Sequence, residues 1–454
     1  MEWIFVKLTH AASCFLTATF AILRTDFLSG YVEIITTGSI ATDKFTLTKK
    51  SINTLALDFL AQNSIFYVLI AWIVVVVLAK ASKLDKHGFE IKPYSLTYKN
   101  YNVQLILTRL LGRTEKAARI FSNASVVAGF IMMGFAFWFL ISNLSNFFIQ
   151  PESFSELTVL IPGVTIQSSA NIAYFLLTVP IVLVIHEGAH GIVATLEKIK
   201  IKTGGFAVFI ALFAGFVEPD EEEFAKAKKI SRLRVIGAGA TSNVLFSFII
   251  AGLLIFNPTF ALLMPEPIRG VFYDEPLGVP ILSVTEGSGA AAAGLLKGDI
   301  ITAINGIAIT QPHDFEKAKL TPGETAIVSI IRDGKTLQIP VVTKPSQEDP
   351  QRGLLGITRA AFPSFQPVIP YYIPWSPEVF MFLLWLWMLS FFIGIFNMLP
   401  LPILDGGKFI HSIIEKKISD NALKGAMWSI YAFTFALFAL NIAFSVVKSG
   451  FITI

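Results

Sequence analysis

Long apolar runs constrain this chain more than any other feature. Seven stretches, at roughly 3–23, 63–80, 121–146, 171–197, 235–256, 378–399 and 425–447, are apolar enough to cross a bilayer. A backbone inside lipid must satisfy its own N–H and C=O groups, so these runs predict helices. Hydrophobic residues make up 54% of the chain against 15% charged, which excludes an ordinary soluble domain. A net charge of +4, with the basic residues gathered in loops, gives no footprint for nucleic acid. Run 3–23 has no basic segment ahead of its apolar part, so a retained helix is expected over a cleaved signal peptide. Cys14 is the single cysteine, which rules out an intramolecular disulfide.

The loop after the second run carries Lys80, Lys83, Lys86, Lys92, Lys99, Arg109, Arg113, Lys116 and Arg119, whereas 147–170 has no Lys or Arg. The positive-inside rule then puts the first loop and the N-terminus in the cytoplasm, and residues 257–377 outside.

Within the fourth run stands His186-Glu187-Gly188-Ala189-His190. On a helix the two histidines face one way, four residues apart, and can grip one zinc ion. Glu187 then lies beside the metal, where a carboxylate can take a proton from activated water. Ionisable groups at bilayer depth are expensive and point to function. A catalytic zinc needs a third protein ligand and an open position. The sixth run ends in NMLPLPILDGG, where Pro400 and Pro402 break the helix and Asp405 stands at the break before Gly406 and Gly407. Asp405 is the obvious third ligand; a plain helix cap is the blander reading.

HEGAH followed by Asn397-x-x-Pro400-x-Pro402-x-x-Asp405-Gly406 closely resembles the site-2 protease family of intramembrane zinc metalloproteases, over about 150–415. The resemblance implies one zinc ion bound by His186, His190 and Asp405, with Glu187 as general base and acid. It also implies that Asn397 holds the substrate or the developing oxyanion, although helix packing or capping explains Asn397 equally well. A weaker family word, Gly-x-x-x-Asn, matches Gly239 to Asn243 without the Pro that often follows its Gly, so a role for Asn243 in substrate or oxyanion stabilisation rests on less.

The expected fold is an all-α polytopic membrane protein with a small α+β domain outside and a membrane-dipping loop or hairpin. Residues 1–150 form an N-terminal membrane region with a basic cytoplasmic loop, 151–256 the first part of the core, 257–376 the outer region, and 377–454 the second part. Residues 201–217 are apolar but too short to cross as a helix, which suggests either a hairpin whose edge takes the substrate as an added strand or an interfacial loop. Asp220–Glu223 with Lys226 predicts a short solvated helix paired through Glu222 and Lys226. Strand-like runs with turns at Gly298-Asp299, Asn305-Gly306 and Asp333-Gly334 resemble a PDZ domain at 270–345, with a helix at Gly289–Leu296 and a peptide-carboxylate loop near Leu277, Gly278 and Val279. Such a domain binds peptides or acts as a size filter for substrate ectodomains.

The function implied is hydrolysis of peptide bonds within single-span membrane proteins in regulated intramembrane proteolysis, at the cell membrane. The alternative is a non-catalytic scaffold with structural zinc, for which a fourth protein ligand such as His411 would speak. A transporter would call for repeated spans, and none is visible.

Overall fold

The computed structural model describes residues 64–450 except 211, 265, 333, 347–348, 367, 369–372 and 374. The expected span 3–23 lies outside the described residues. The described chain divides into two units, 64–250 with 381–450, and 251–380.

The first unit is built on helices α1 (Ser64–Ala81), α2 (Val103–Ile149), α3 (Ser169–Leu196), α5 (Lys229–Leu254), α6 (Pro377–Asn397) and α8 (Asp420–Ser449). All but α1 are long and apolar enough to cross a membrane. Their outer faces carry exposed Ile131, Trp138, Val184, Phe248 and Phe435, the surface expected of helices solvated by lipid. Met133, Leu140, Phe396, Phe409 and Phe438 pack the core between them. The run expected at 121–146 lies within a 47-residue helix, bent at Thr114, where φ is −131°. Arg109, Arg113, Lys116 and Arg119 therefore ride on a helix rather than in a loop.

The rest of the basic loop also folds. Strands β1 (Phe89–Lys92) and β2 (Ser95–Asn100) pair antiparallel, and β2 pairs in turn with β3 (Ile201–Phe209). With β4 (Leu212–Pro219) they form a four-stranded antiparallel sheet in the order β1-β2-β3-β4, so the hairpin expected at 201–217 is there and β4 is an edge strand. Helix α4 (Glu221–Lys226) follows, capped by the Asp220 side chain and carrying the Glu222–Lys226 ion pair at 3.1 Å. Helix α7 (Asp405–Ile414) starts at the Pro-rich break after α6.

The second unit holds a six-stranded sheet of β5 (Val279–Val284), β6 (Ile300–Ile304), β7 (Ile307–Ala308), β8 (Thr325–Arg332), β9 (Lys335–Val342) and β12 (Ile357–Arg359). The order is β12-β5-β6-β8-β9, with β7 paired to β6. A smaller pair joins β10 (Lys344–Pro345) to β11 (Gly353–Leu354). Asn305 and Gly306 both have positive φ, 50° and 78°, as a two-residue hairpin turn between β6 and β7 demands. A one-turn helix, Gly289–Ala292, stands where a short helix was expected. The core gathers Val279, Ile281, Ile301, Val328, Ile330 and Val341. Because β12 pairs with β5, the six-stranded sheet takes in residues as far as Arg359.

Candidate metal centre

Helix α3 carries His186, Glu187 and His190, and its Pro180 leaves it a single helix from Ser169 to Leu196. The third residue arrives by a tight turn. After α6 ends at Asn397, the chain folds back so that α7 begins on the carbonyls it has just left. A Cβ on Gly406 would lie 2.1 Å from the Met398 carbonyl oxygen, and one on Gly407 would lie 2.1 Å from that of Leu401. Only glycine fits either place, and this packing brings Asp405, in the first turn of α7, toward α3.

The result is a triangle of donor atoms. His186 Nε2 and His190 Nε2 are 3.1 Å apart, and each is 3.1 Å from Asp405 Oδ2. Among the described residues no fourth His, Cys, Asp or Glu joins the group. His411, the alternative ligand, is half exposed and faces Glu415 at 3.6 Å. Zinc bonds of about 2.0–2.2 Å in tetrahedral arrangement set donors about 3.3 Å apart, so the triangle fits that ion.

Proton placement supports the same occupant. His190 Nδ1 is 2.7 Å from the Val235 carbonyl oxygen, which can only accept. The hydrogen of the neutral ring therefore sits on Nδ1, and Nε2 turns a bare lone pair toward a carboxylate oxygen. Two such groups at 3.1 Å call for a cation between them. Room for it is kept by Gly239 on α5, where a Cβ would lie 2.3 Å from His190 Nε2 and 2.7 Å from His186 Nε2.

Glu187 Oε2 accepts the backbone N–H of Val217 on β4 at 3.0 Å, so the edge strand and the carboxylate are in contact. Gly215 permits this approach, since a Cβ there would meet Glu187 Cγ at 3.0 Å. Asn397 is buried, with Nδ2 2.9 Å from His186 Nε2 and donating to Asp405 Oδ2 at 3.1 Å. Asn243 is buried with Nδ2 3.2 Å from His186 Nδ1. The structure thus brings His186, Glu187, His190, Asp405, Asn397 and Asn243 into one site. Sequence reasoning missed Gly239, the Val235 carbonyl and the Val217 N–H. The Gly-x-x-x-Asn word was the one available signal for the first.

The expected carboxylate loop fares differently. The Leu277 N–H donates to the Ser364 carbonyl at 2.9 Å, and the Gly278 carbonyl accepts from the Ser364 N–H at 2.8 Å. Val279 opens β5, which lies between β6 and β12. Leu277, Gly278 and Val279 therefore sit in paired backbone rather than in an open cradle. Strand β12 is one edge of this sheet, preceded by Leu355 and Gly356 (φ 83°). The carbonyls of these two residues accept from Ala290 and Thr285, while their N–H groups have no protein acceptor among the described residues.

Among proteins similar to this chain is an uncharacterized protein of Methanocaldococcus jannaschii, 30% identical over 231 residues, which cover 50% of this chain and 53% of that protein. The regulator of sigma-W protease RasP of Bacillus subtilis is 24% identical over 244 residues, covering 44% of this chain and 54% of RasP. The chain spans about half the length of these two curated relatives. The PDZ domain of the SdrC-like protein from Listeria monocytogenes is 26% identical, covering 18% of this chain and 87% of that domain with a TM-score of 0.17. Residues 174–438, more than half of the chain and both motifs, match the model of peptidase family M50. The chain belongs to peptidase family M50, the site-2 protease family that its two motifs resemble.

Proposed function

We propose that this chain is a zinc metalloprotease that cuts peptide bonds within the membrane, with His186, His190 and Asp405 holding one zinc ion. The carrying observation is the 3.1 Å donor triangle, in which His190 Nδ1 lies against the Val235 carbonyl and Nε2 faces a carboxylate oxygen. Bound there, zinc supplies Lewis acidity that activates water and polarises the scissile carbonyl. Glu187, adjoining the triangle, accepts the proton of the attacking water and delivers it to the leaving amide nitrogen. Asn397 steadies Asp405 through its Nδ2 and stands beside the place where the oxyanion develops.

The substrate we propose is the transmembrane segment of a single-span protein. A helical peptide bond is shielded by its own hydrogen bonds, so the segment must be drawn out first. Strand β4 is an edge, and its Val217 N–H already points at Glu187. An extended segment laid along that edge has its carbonyls delivered toward the donor triangle. The charge pattern supports a cytoplasmic N-terminus and a PDZ-like domain outside the cell membrane, an arrangement suited to regulated intramembrane proteolysis. If that domain takes peptide ends, the free N–H groups of Leu355 and Gly356 support a cradle there rather than at Leu277–Val279.

Cleavage of a tagged single-span protein in liposomes tests the reading. Wild type should cut, and Glu187→Gln should lose about 10²–10⁴-fold in rate while zinc stays near one per chain. Equal cutting by both would sink it.

A further inference from the structure

Each ligand histidine has a second ring nitrogen, and helix α5 faces both of them. His190 Nδ1 meets the Val235 carbonyl at 2.7 Å, and His186 Nδ1 meets the Asn243 amide at 3.2 Å. Val235, Gly239 and Asn243 are four residues apart in turn, so one face of α5 runs past both rings, with glycine where the donor atoms converge.

As placed, the Asn243 NH2 group faces His186 Nδ1, while its Oδ1 is buried with no donor. A neutral imidazole carries one hydrogen. With Nε2 turned to His190 Nε2 and Asp405 Oδ2, a bound ion takes that nitrogen, and the hydrogen sits on Nδ1. Nδ1–H needs an acceptor, which an NH2 group cannot be. The two ends of an amide are distinguished only by their hydrogen bonds. Turning this one over gives Nδ1–H its acceptor and gives the orphaned oxygen its donor.

We propose that Asn243 is a positioning residue whose side-chain oxygen accepts the Nδ1–H of His186 and so holds Nε2 bare for the metal. The proposal rests on the zinc-site reading above. It assigns Asn243 to the ligand rather than to the substrate.

Zinc affinity of the purified full chain, measured by competition with a chelator, tests it without reference to cleavage. Asn243→Ala should weaken zinc binding about 10–100-fold, and Asn243→Asp, which keeps the shape and an acceptor oxygen, should stay within about threefold of wild type. Asn243→Ala binding as tightly as wild type would overturn the proposal. So would Asn243→Asp falling as far as Asn243→Ala, because then the NH2 group is what matters. A wild type that binds no zinc would instead remove the metal-site reading itself.

Discussion

Gly239 shows how much of this site is decided by a missing side chain. It stands on α5 where a methyl group would lie 2.3 Å from His190 Nε2 and 2.7 Å from His186 Nε2, which is the space the ion needs. Alanine is the better helix former by about 1 kcal/mol, so Gly239→Ala should leave α5 intact. The expected outcome is a loss of zinc affinity of at least about tenfold, or 1.4 kcal/mol, with helical circular dichroism unchanged. Zinc counted per chain after dialysis checks it; a full complement would show that the imidazoles move aside freely. At this scale the legible residues were those whose side chains carry the chemistry. His186, Glu187, His190 and Asp405 stand out by type and spacing. The Val235 carbonyl and the Val217 N–H are backbone groups that every residue owns, so no residue type betrays them. Asn243 could be suspected, but its partner depends on how α5 crosses α3.

Elements were legible where one local property decides them. Each described apolar run expected to span became a helix, because lipid leaves the backbone no other partner. Boundaries suffered where charge and hydrogen bonding disagree. Helix α2 continues through Arg109, Arg113 and Lys116 because charged side chains lower hydropathy without removing a backbone donor. Strands β1 and β2 were missed, since short strands among lysines exist only by pairing with β3, a hundred residues away in sequence. That pairing depends on Gly205, where a Cβ would lie 2.0 Å from the Tyr98 carbonyl oxygen. Gly205→Ala should therefore part β2 from β3. Amide hydrogen exchange across residues 89–100 should quicken at least about tenfold while α3 stays protected, because local opening spares the global fold. Unchanged protection in β2 would mean that the sheet shifts to absorb the methyl group.

At the scale of the whole molecule, two units with separate cores should fail separately. The membrane unit is packed by Met133, Leu140, Phe396 and Phe438, and the second by Val279, Ile301, Val328 and Val341. Asp299 is a lever on the second alone. Only 2% exposed, it accepts from Arg332 Nε and Nη2 at 2.6 Å each and from the Leu296 N–H at 2.8 Å. Burial alone would raise its pKa, but the Arg332 guanidinium and the Leu296 N–H outweigh it and hold the carboxyl below its ordinary value. A depressed folded pKa means stabilisation that is complete above the unfolded value of about 3.9 and is lost as pH falls through the folded value. At pH 7, Asp299→Asn should cost the second unit about 2 kcal/mol, the value of hydrogen bonds to a charged group. Exchange of amides in β5 and β8 of the full chain, corrected for the intrinsic pH dependence, measures that deficit, and α3 should show none. As pH drops below about 4, wild type should lose the same interaction and the two proteins should converge. A deficit that persists unchanged in acid would assign the effect of Asp299 to its shape in the β5–β6 turn rather than to its charge.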